Sequence, residues 1–212
     1  MRNKEINKKI LQQGMLLFAK KGWDNTTLVQ IAEYVHLPVY QVRKNFPFKI
    51  CLLIYLNQLV DKNTMEQPYQ GQRLPEYLFD AMMNRFDILQ QYREGYISIV
   101  KLLPSHPSLA LLIGFGTQRS MKWIAESARI NTMGFKGFVC IEGLTAIWTV
   151  AFKTWLKDTT HDLSRTMASL DKTITKAGKL APYVVVRQKS FSNSPCQEYE
   201  KETHLLTNEN KS

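Results

Sequence analysis

Cysteine is scarce in this 212-residue chain: Cys51, Cys140 and Cys196 are odd in number and far apart. That excludes a disulfide scaffold and suits a reducing compartment. No CxxC pair occurs and the four histidines are scattered, so no metal site of the tetrahedral zinc type is expected. Long apolar runs are missing too. The longest uncharged stretch, 102–118, contains Pro104, Pro107, Gly114 and Gly116, and it falls short of the roughly 20 predominantly apolar residues a bilayer crossing needs. No membrane span is expected. Behind Met1 come Arg2, Asn3, Lys4 and Glu5 rather than an apolar stretch, so no secretory leader is expected and the reading is cytoplasmic. Catalytic patterns are also absent. Gly114-Phe115-Gly116 lacks the third glycine and the strand-to-helix setting of a dinucleotide loop. His106 and His161 have no cysteine or serine at informative spacing, and Asp158, Asp162 and Asp171 read as helix-end acids rather than an acid/base pair. No catalytic residue and no cofactor is expected. Strand signals are confined to Tyr183-Val184-Val185-Val186.

What is present is an ordinary globular balance, 44% hydrophobic and 22% charged, with an uneven distribution of charge. Of the formal net charge of +10, residues 1–50 carry +6 and residues 51–181 only +4, while 182–212 sum to zero. The N-terminal quarter is therefore the candidate to face a polyanion.

Periodicity predicts an all-α chain. The first helix runs from about Asn3 to Lys21, with Ile6, Ile10, Leu11, Leu17 and Phe18 on one face and Gly22 just past its end. Thr27 to Gln30 form a capping box for a short helix bearing Leu28, Ile31, Ala32 and Val35. His36 stands where a turn asks for positive φ. Pro38 then fits the first turn of a third helix, which Phe46-Pro47 ends. Longer helices are expected over about 48–66, 74–92, 94–103, 107–130, 135–157 and 163–178, with Gln67 to Gly71 as a linker. From 182 the Ser-, Asn-, Gln- and Glu-rich composition predicts a disordered tail. The expected units are residues 1–50, three helices with a helix-turn-helix; 51–181, a helical bundle; and 182–212, the tail.

On a helical wheel the third helix gathers Val39, Val42 and Phe46 on one side. Tyr40, Gln41, Lys44 and Asn45 fall opposite, with Arg43 at the margin. Such a division suits a recognition helix in the major groove of double-stranded DNA. Gln41 can read an adenine edge, and Tyr40 a thymine methyl or a phosphate. Arg43, Lys44, Lys49 and the hydroxyls of Thr26 and Thr27 suit phosphates. A solvated bundle surface fits the same pattern.

The segment from Ile10 to Leu53 resembles the N-terminal domain of TetR-family transcriptional regulators. The marks are Leu17-Phe18-Ala19 with Gly22 and Trp23, then Thr26-Thr27, Ile31-Ala32, and Val42 with Phe46, Pro47 and Lys49. The resemblance implies a two-domain all-α homodimer that binds a palindromic operator, most often as a repressor, and is released by a small molecule in its C-terminal domain. It also extends the candidate DNA-binding set to Pro38 and Val39. Five positions depart from the family's habit: His36 replaces a glycine, Pro38 a capping serine, Tyr40-Gln41 a Gly-Thr pair, and Arg43 an aromatic residue. The stretch from Gly143 to Gly178, with Trp155, Leu156 and Asp158 followed by Thr166, Met167, Ala168, Leu170 and Asp171, is similar to the ubiquinone-biosynthesis accessory proteins of TetR-like fold. That likeness implies the alternative, a lipid-binding protein without DNA binding. A homodimer is expected through residues 143–178, where Leu144, Ile147, Trp148, Phe152 and Trp155 face Leu163, Met167, Leu170 and Ile174; the same stripes also fit packing inside one protomer. Met82, Phe86, Tyr96, Phe115, Trp123 and Trp148 are the candidates to line a cavity for a small apolar effector, and the same residue types equally suit a plain core.

Overall fold

The computed structural model describes residues 2–66 and 69–179. The expected tail and the Tyr183–Val186 tetrad lie outside these residues, as do Gln67 and Pro68 of the expected linker. Nine α-helices and no strand are found among the described residues. They are α1 (Arg2–Lys21), α2 (Leu28–Val35), α3 (Val39–Asn45), α4 (Ile50–Met65), α5 (Leu74–Gln90), α6 (Arg93–Leu102), α7 (Pro107–Ser127), α8 (Gly134–Trp155) and α9 (Ser164–Gly178), with a single 3-10 turn at Leu103–Ser105 between α6 and α7.

The first three helices form where local chemistry calls for them. Gly22 ends α1 with φ 81°, a conformation open to glycine without a Cβ clash. At the start of α2 the Thr27 hydroxyl accepts from the Gln30 amide (3.3 Å), and the Gln30 side chain accepts from the Thr27 amide (3.2 Å). These bonds satisfy donors that the first turn leaves free. His36 takes the left-handed conformation (φ 56°, ψ 43°) at the end of α2, and Leu37 N closes the turn on Ala32 O at 3.0 Å. Pro38 then leads into α3. Ile10, Leu11, Phe18, Ile31, Ala32, Val42 and Phe46 are buried together with Leu52 from α4.

The remaining helices build a bundle whose core runs into that of the first three. Two helices tie the parts together. α4 follows directly from the third helix, and α6 lies against α1 with no room to spare: a Cβ at Gly95 would stand 2.3 Å from the Met15 carbonyl oxygen. His106, at the head of α7, meets Asp24 of the α1–α2 connection at 3.2 Å. At the far end, the buried Asp158 carboxylate accepts from the backbone and hydroxyl of both Thr160 and Thr166 at 2.5–3.0 Å. Burial alone would raise its pKa, but these hydrogen bonds outweigh burial and hold it well below the usual carboxylate range. Arg93 spans from α6 to the Asp158 carbonyl (2.6 Å) and covers the Trp155 ring.

Helix boundaries differ from expectation mainly at α7, which stops at Ser127 rather than near 130. Arg129 turns left-handed (φ 58°) and Ile130 N bonds back to Ala125 O at 3.0 Å. A more consequential difference concerns α8 and α9. Leu144, Ile147, Trp148 and Trp155, with Leu163, Leu170 and Ile174, are buried inside the protomer. The stripes expected to meet a two-fold copy pack instead against each other and against α5. Gly143, Ala146, Thr149, Val150 and Lys153 are the residues that α8 leaves exposed along that stretch. By length and apolarity alone α8 is also able to cross a membrane, with a mean hydropathy of 1.4 over its best window, which the reading of uncharged runs overlooked because Lys136, Glu142 and Lys153 punctuate it. Of that window 39% is buried in the protomer, while Phe135, Phe138 and Val150 of the same helix are exposed.

Candidate nucleic-acid interface and effector cavity

α3 is held by Val42 and Phe46, both buried, and its other face is open. Tyr40 is 74% exposed, Arg43 and Lys44 are exposed, and Gln41 is half-buried at the edge of that face. Val39 is half-buried and Pro38 exposed at the entry to the helix. The outward surface therefore centres on Arg43, Tyr40 and Lys44. Arg43, placed at the margin by the wheel, belongs to it. Asn45 does not: its amide donates to Asn7 Oδ1 of α1 at 2.8 Å.

The phosphate candidates outside α3 divide. Thr27 is exposed, and its capping hydroxyl uses only its acceptor side, so the O–H remains to donate. Thr26 is 1% exposed and donates to Gly22 O at 2.8 Å; it is a strut of the α1–α2 connection. Lys49 is half-buried. Its ammonium donates to the Trp23 carbonyl and to Thr26 O (3.0 Å) and sits 4.6 Å from the centre of the Trp23 ring. Burial lowers its pKa, partly offset by Asp24. The position expected to hold a phosphate instead pins α4 to the loop before α2.

In the bundle lies a cavity of about 280 Å³, bounded by α4, α5, α6, α7 and α8. Of the six cavity candidates, Tyr96, Phe115 and Trp148 are in its wall. Phe115 is 67% exposed, so its part of the wall borders solvent. Met82 and Phe86 are fully buried, with Phe86 stacked on Trp148 at 4.4 Å, one layer behind the wall. Trp123 is 38% exposed, covered by the Arg119 guanidinium, and outside the cavity. Burial raises the Tyr96 pKa to about 12, against a smaller lowering by Arg85, so its phenol stays protonated.

The sequence reading missed a polar cluster beside this cavity. Asp61, Arg85 and Ser120 are all buried, from α4, α5 and α7. Arg85 pairs with Asp61, which also accepts from Ser120 Oγ (2.6 Å) and Asn57 Nδ2 (3.1 Å) and faces Arg119 at 3.7 Å. A signal existed. Arg85 falls between Met82 and Leu89, three and four residues away, on a helix face that is otherwise apolar. Among the described residues no group of three His, Cys, Asp or Glu could hold a metal.

This arrangement, a short helix-turn-helix on an all-α bundle, is shared with known proteins. No family model matches the chain. It is 29% identical over 99 residues to the biofilm operon icaADBC HTH-type negative transcriptional regulator IcaR of Staphylococcus aureus, a match that takes in 43% of this chain and 52% of that protein. The chain thus spans about half the length of the curated relatives it matches. Among solved structures it resembles a TetR transcriptional regulator from Nitrosomonas europaea, with a TM-score of 0.69 at 19% identity, covering 82% of this chain and 98% of that one. A TetR-family regulator from Streptomyces coelicolor gives 0.59 at 13% identity, covering 96% and 98%. Thermus thermophilus FadR, a TetR-family repressor solved with lauroyl-CoA, gives 0.51 at 18%, covering 89% and 99%. The fold is that of the TetR-family transcriptional regulators.

Proposed function

We propose that the chain is a TetR-type DNA-binding transcriptional regulator, a repressor released when a small molecule enters the cavity. Its DNA-binding unit is residues 1–50 and its ligand-binding and dimerisation unit 51–181. The observation that carries this reading is the free face of α3. Tyr40, Arg43 and Lys44 are exposed side by side, on the part of the chain that holds +6 of the net charge. Arg43, Lys44 and the Thr27 hydroxyl would take phosphates and fix register, while Gln41 and Tyr40 meet base edges.

Release follows from two mechanical links. The cavity wall includes Leu53, Leu56 and Asn57 of α4 and Tyr96 of α6. α4 continues from the recognition unit, and α6 is wedged on α1 at Gly95. An occupant that displaces either helix moves α3 with it. Two copies, joined through residues 143–178 by the outward side of α8 at Gly143, Ala146 and Val150 together with α9, would carry two recognition helices. These must stand about 34 Å apart, or a multiple, to enter successive major grooves. The place of action is the cytoplasm, where chromosomal DNA is reached. Retardation of the DNA upstream of its own gene by the full-length protein tests this reading. A shifted complex containing a palindrome supports it; no retention of any DNA at low salt removes it and leaves the lipid-binding alternative.

A further inference from the structure

The cavity is built for more than an apolar guest. Most of its wall is hydrocarbon, from Leu53, Leu56, Leu89, Leu112 and Ile113, but Arg85, Arg119 and Asn57 stand in the same wall. Arg85 is 3% exposed and its Nε–H has no acceptor among the described residues. Its other nitrogens are engaged with Asp61 and, at 3.4 Å, with Asn57 Oδ1. Among the described residues Asp61 is the one carboxylate in contact with this cluster, and its oxygens already receive Arg85, Ser120 and Asn57 and face Arg119. Two guanidiniums therefore share one saturated carboxylate, which leaves one positive charge in excess and N–H donors to spare. A buried donor without a partner is costly, and an acceptor supplied by a ligand removes that cost.

We infer that the cavity takes an amphiphilic monocarboxylate, its apolar body against the leucines and its carboxylate on Arg85 and Arg119. One excess positive charge matches a single negative head better than a doubly charged phosphate. Size sets a second bound: at ~30 Å³ per water-sized volume, 280 Å³ holds a body of about ten non-hydrogen atoms. The inference rests on reading the cavity as the effector site and names that effector's chemistry.

Isothermal titration of the full-length protein with octanoate and 3-phenylpropanoate, against 1-octanol and 3-phenylpropanol, tests it. At least one acid is expected to bind about tenfold tighter than its alcohol, the gain of a charge-assisted hydrogen bond over a neutral one. Arg119→Gln, at a half-exposed position, lowers that preference. Arg85→Met alone would strand the buried Asp61 charge, so the second variant is the triple Asp61→Asn/Arg85→Met/Arg119→Gln, which makes the cluster neutral and abolishes the preference. Alcohols binding as well as acids, or no acid binding at all, overturns the inference. DNA retardation is read in parallel: acid binding without any DNA binding sinks the regulator and leaves the carboxylate site, whereas alcohol-driven release from DNA does the reverse.

Discussion

Lys49 and Lys44 are five residues apart and both basic, yet their surroundings give them different work, and exchanging each for Ala separates the two. The Lys49 ammonium donates to the carbonyls of Trp23 and Thr26 and covers the Trp23 ring at 4.6 Å. A hydrogen bond to a charged group contributes ~1.5–3 kcal/mol and an exposed cation–π contact ~0.5–1 kcal/mol. Lys49 is only half-buried and water competes for both carbonyls, so the sum for Lys49→Ala comes to about 2–3 kcal/mol. At ~2–4 °C per kcal/mol for a chain of this size, the melting temperature falls by about 4–12 °C. Lys44 is exposed on the open face of α3. Lys44→Ala leaves the melting temperature unchanged, while removing one phosphate-neutralising cation lowers the salt slope of DNA binding by ~0.9, or ~1.8 for two protomers. Thermal unfolding and a salt titration of DNA affinity on both variants give the answer. If Lys49→Ala melts like the parent and flattens the salt slope as Lys44→Ala does, the assignment of Lys49 to the fold is refuted.

Other consequences follow from single residues. His36→Gly relieves a left-handed φ of 56°; the strain removed exceeds the entropy glycine adds to the unfolded chain, so stability rises by about 0.5–1 kcal/mol, read as a higher urea midpoint. A lower midpoint would show that the His36 side chain contributes a contact of its own. Asp158 has a folded pKa below its unfolded value, so its stabilisation is present above about pH 4 and is lost as pH falls below that. Urea midpoints between about pH 3 and pH 6 should therefore drop on the acid side in the parent and flatten in Asp158→Asn; parallel curves would contradict the role given to this carboxylate. Gly95→Ala forces α6 away from the Met15 carbonyl and costs about 1–3 kcal/mol by overpacking. DNA affinity should fall further than the change in folded fraction explains, and equal losses would break the proposed link from α6 to α1.

Much of the fold was legible because its signals are local. The capping box at Thr27, Gly22 after α1, Pro47 after Phe46 and the paired prolines before α7 each mark a boundary within two or three residues of where it falls. The face of α3 was legible for the same reason, since a helical wheel depends on one segment. The internal partners of Asn45 and Lys49 were not legible, because Asn7 and the Trp23 and Thr26 carbonyls lie 23 to 38 residues away in sequence. The α8 and α9 stripes show the other limit. Periodicity says that Leu144, Trp148, Leu163 and Leu170 are buried, but it is silent on whether the covering surface belongs to the same chain. The cluster of Asp61, Arg85 and Ser120 is assembled from three helices, and only the misplaced charge of Arg85 on an apolar face hinted at it.

The central claim is that α3 reads DNA through its outward side chains, and selection from random duplexes measures this directly. Full-length protein and Gln41→Ala are taken through the same rounds at matched salt. The account predicts a palindrome whose half-sites lie about one helical turn, or a multiple, apart, with Gln41→Ala relaxing the preference at one base position in each half. Enrichment of no sequence by the parent, or an identical preference at every position in the variant, would contradict it.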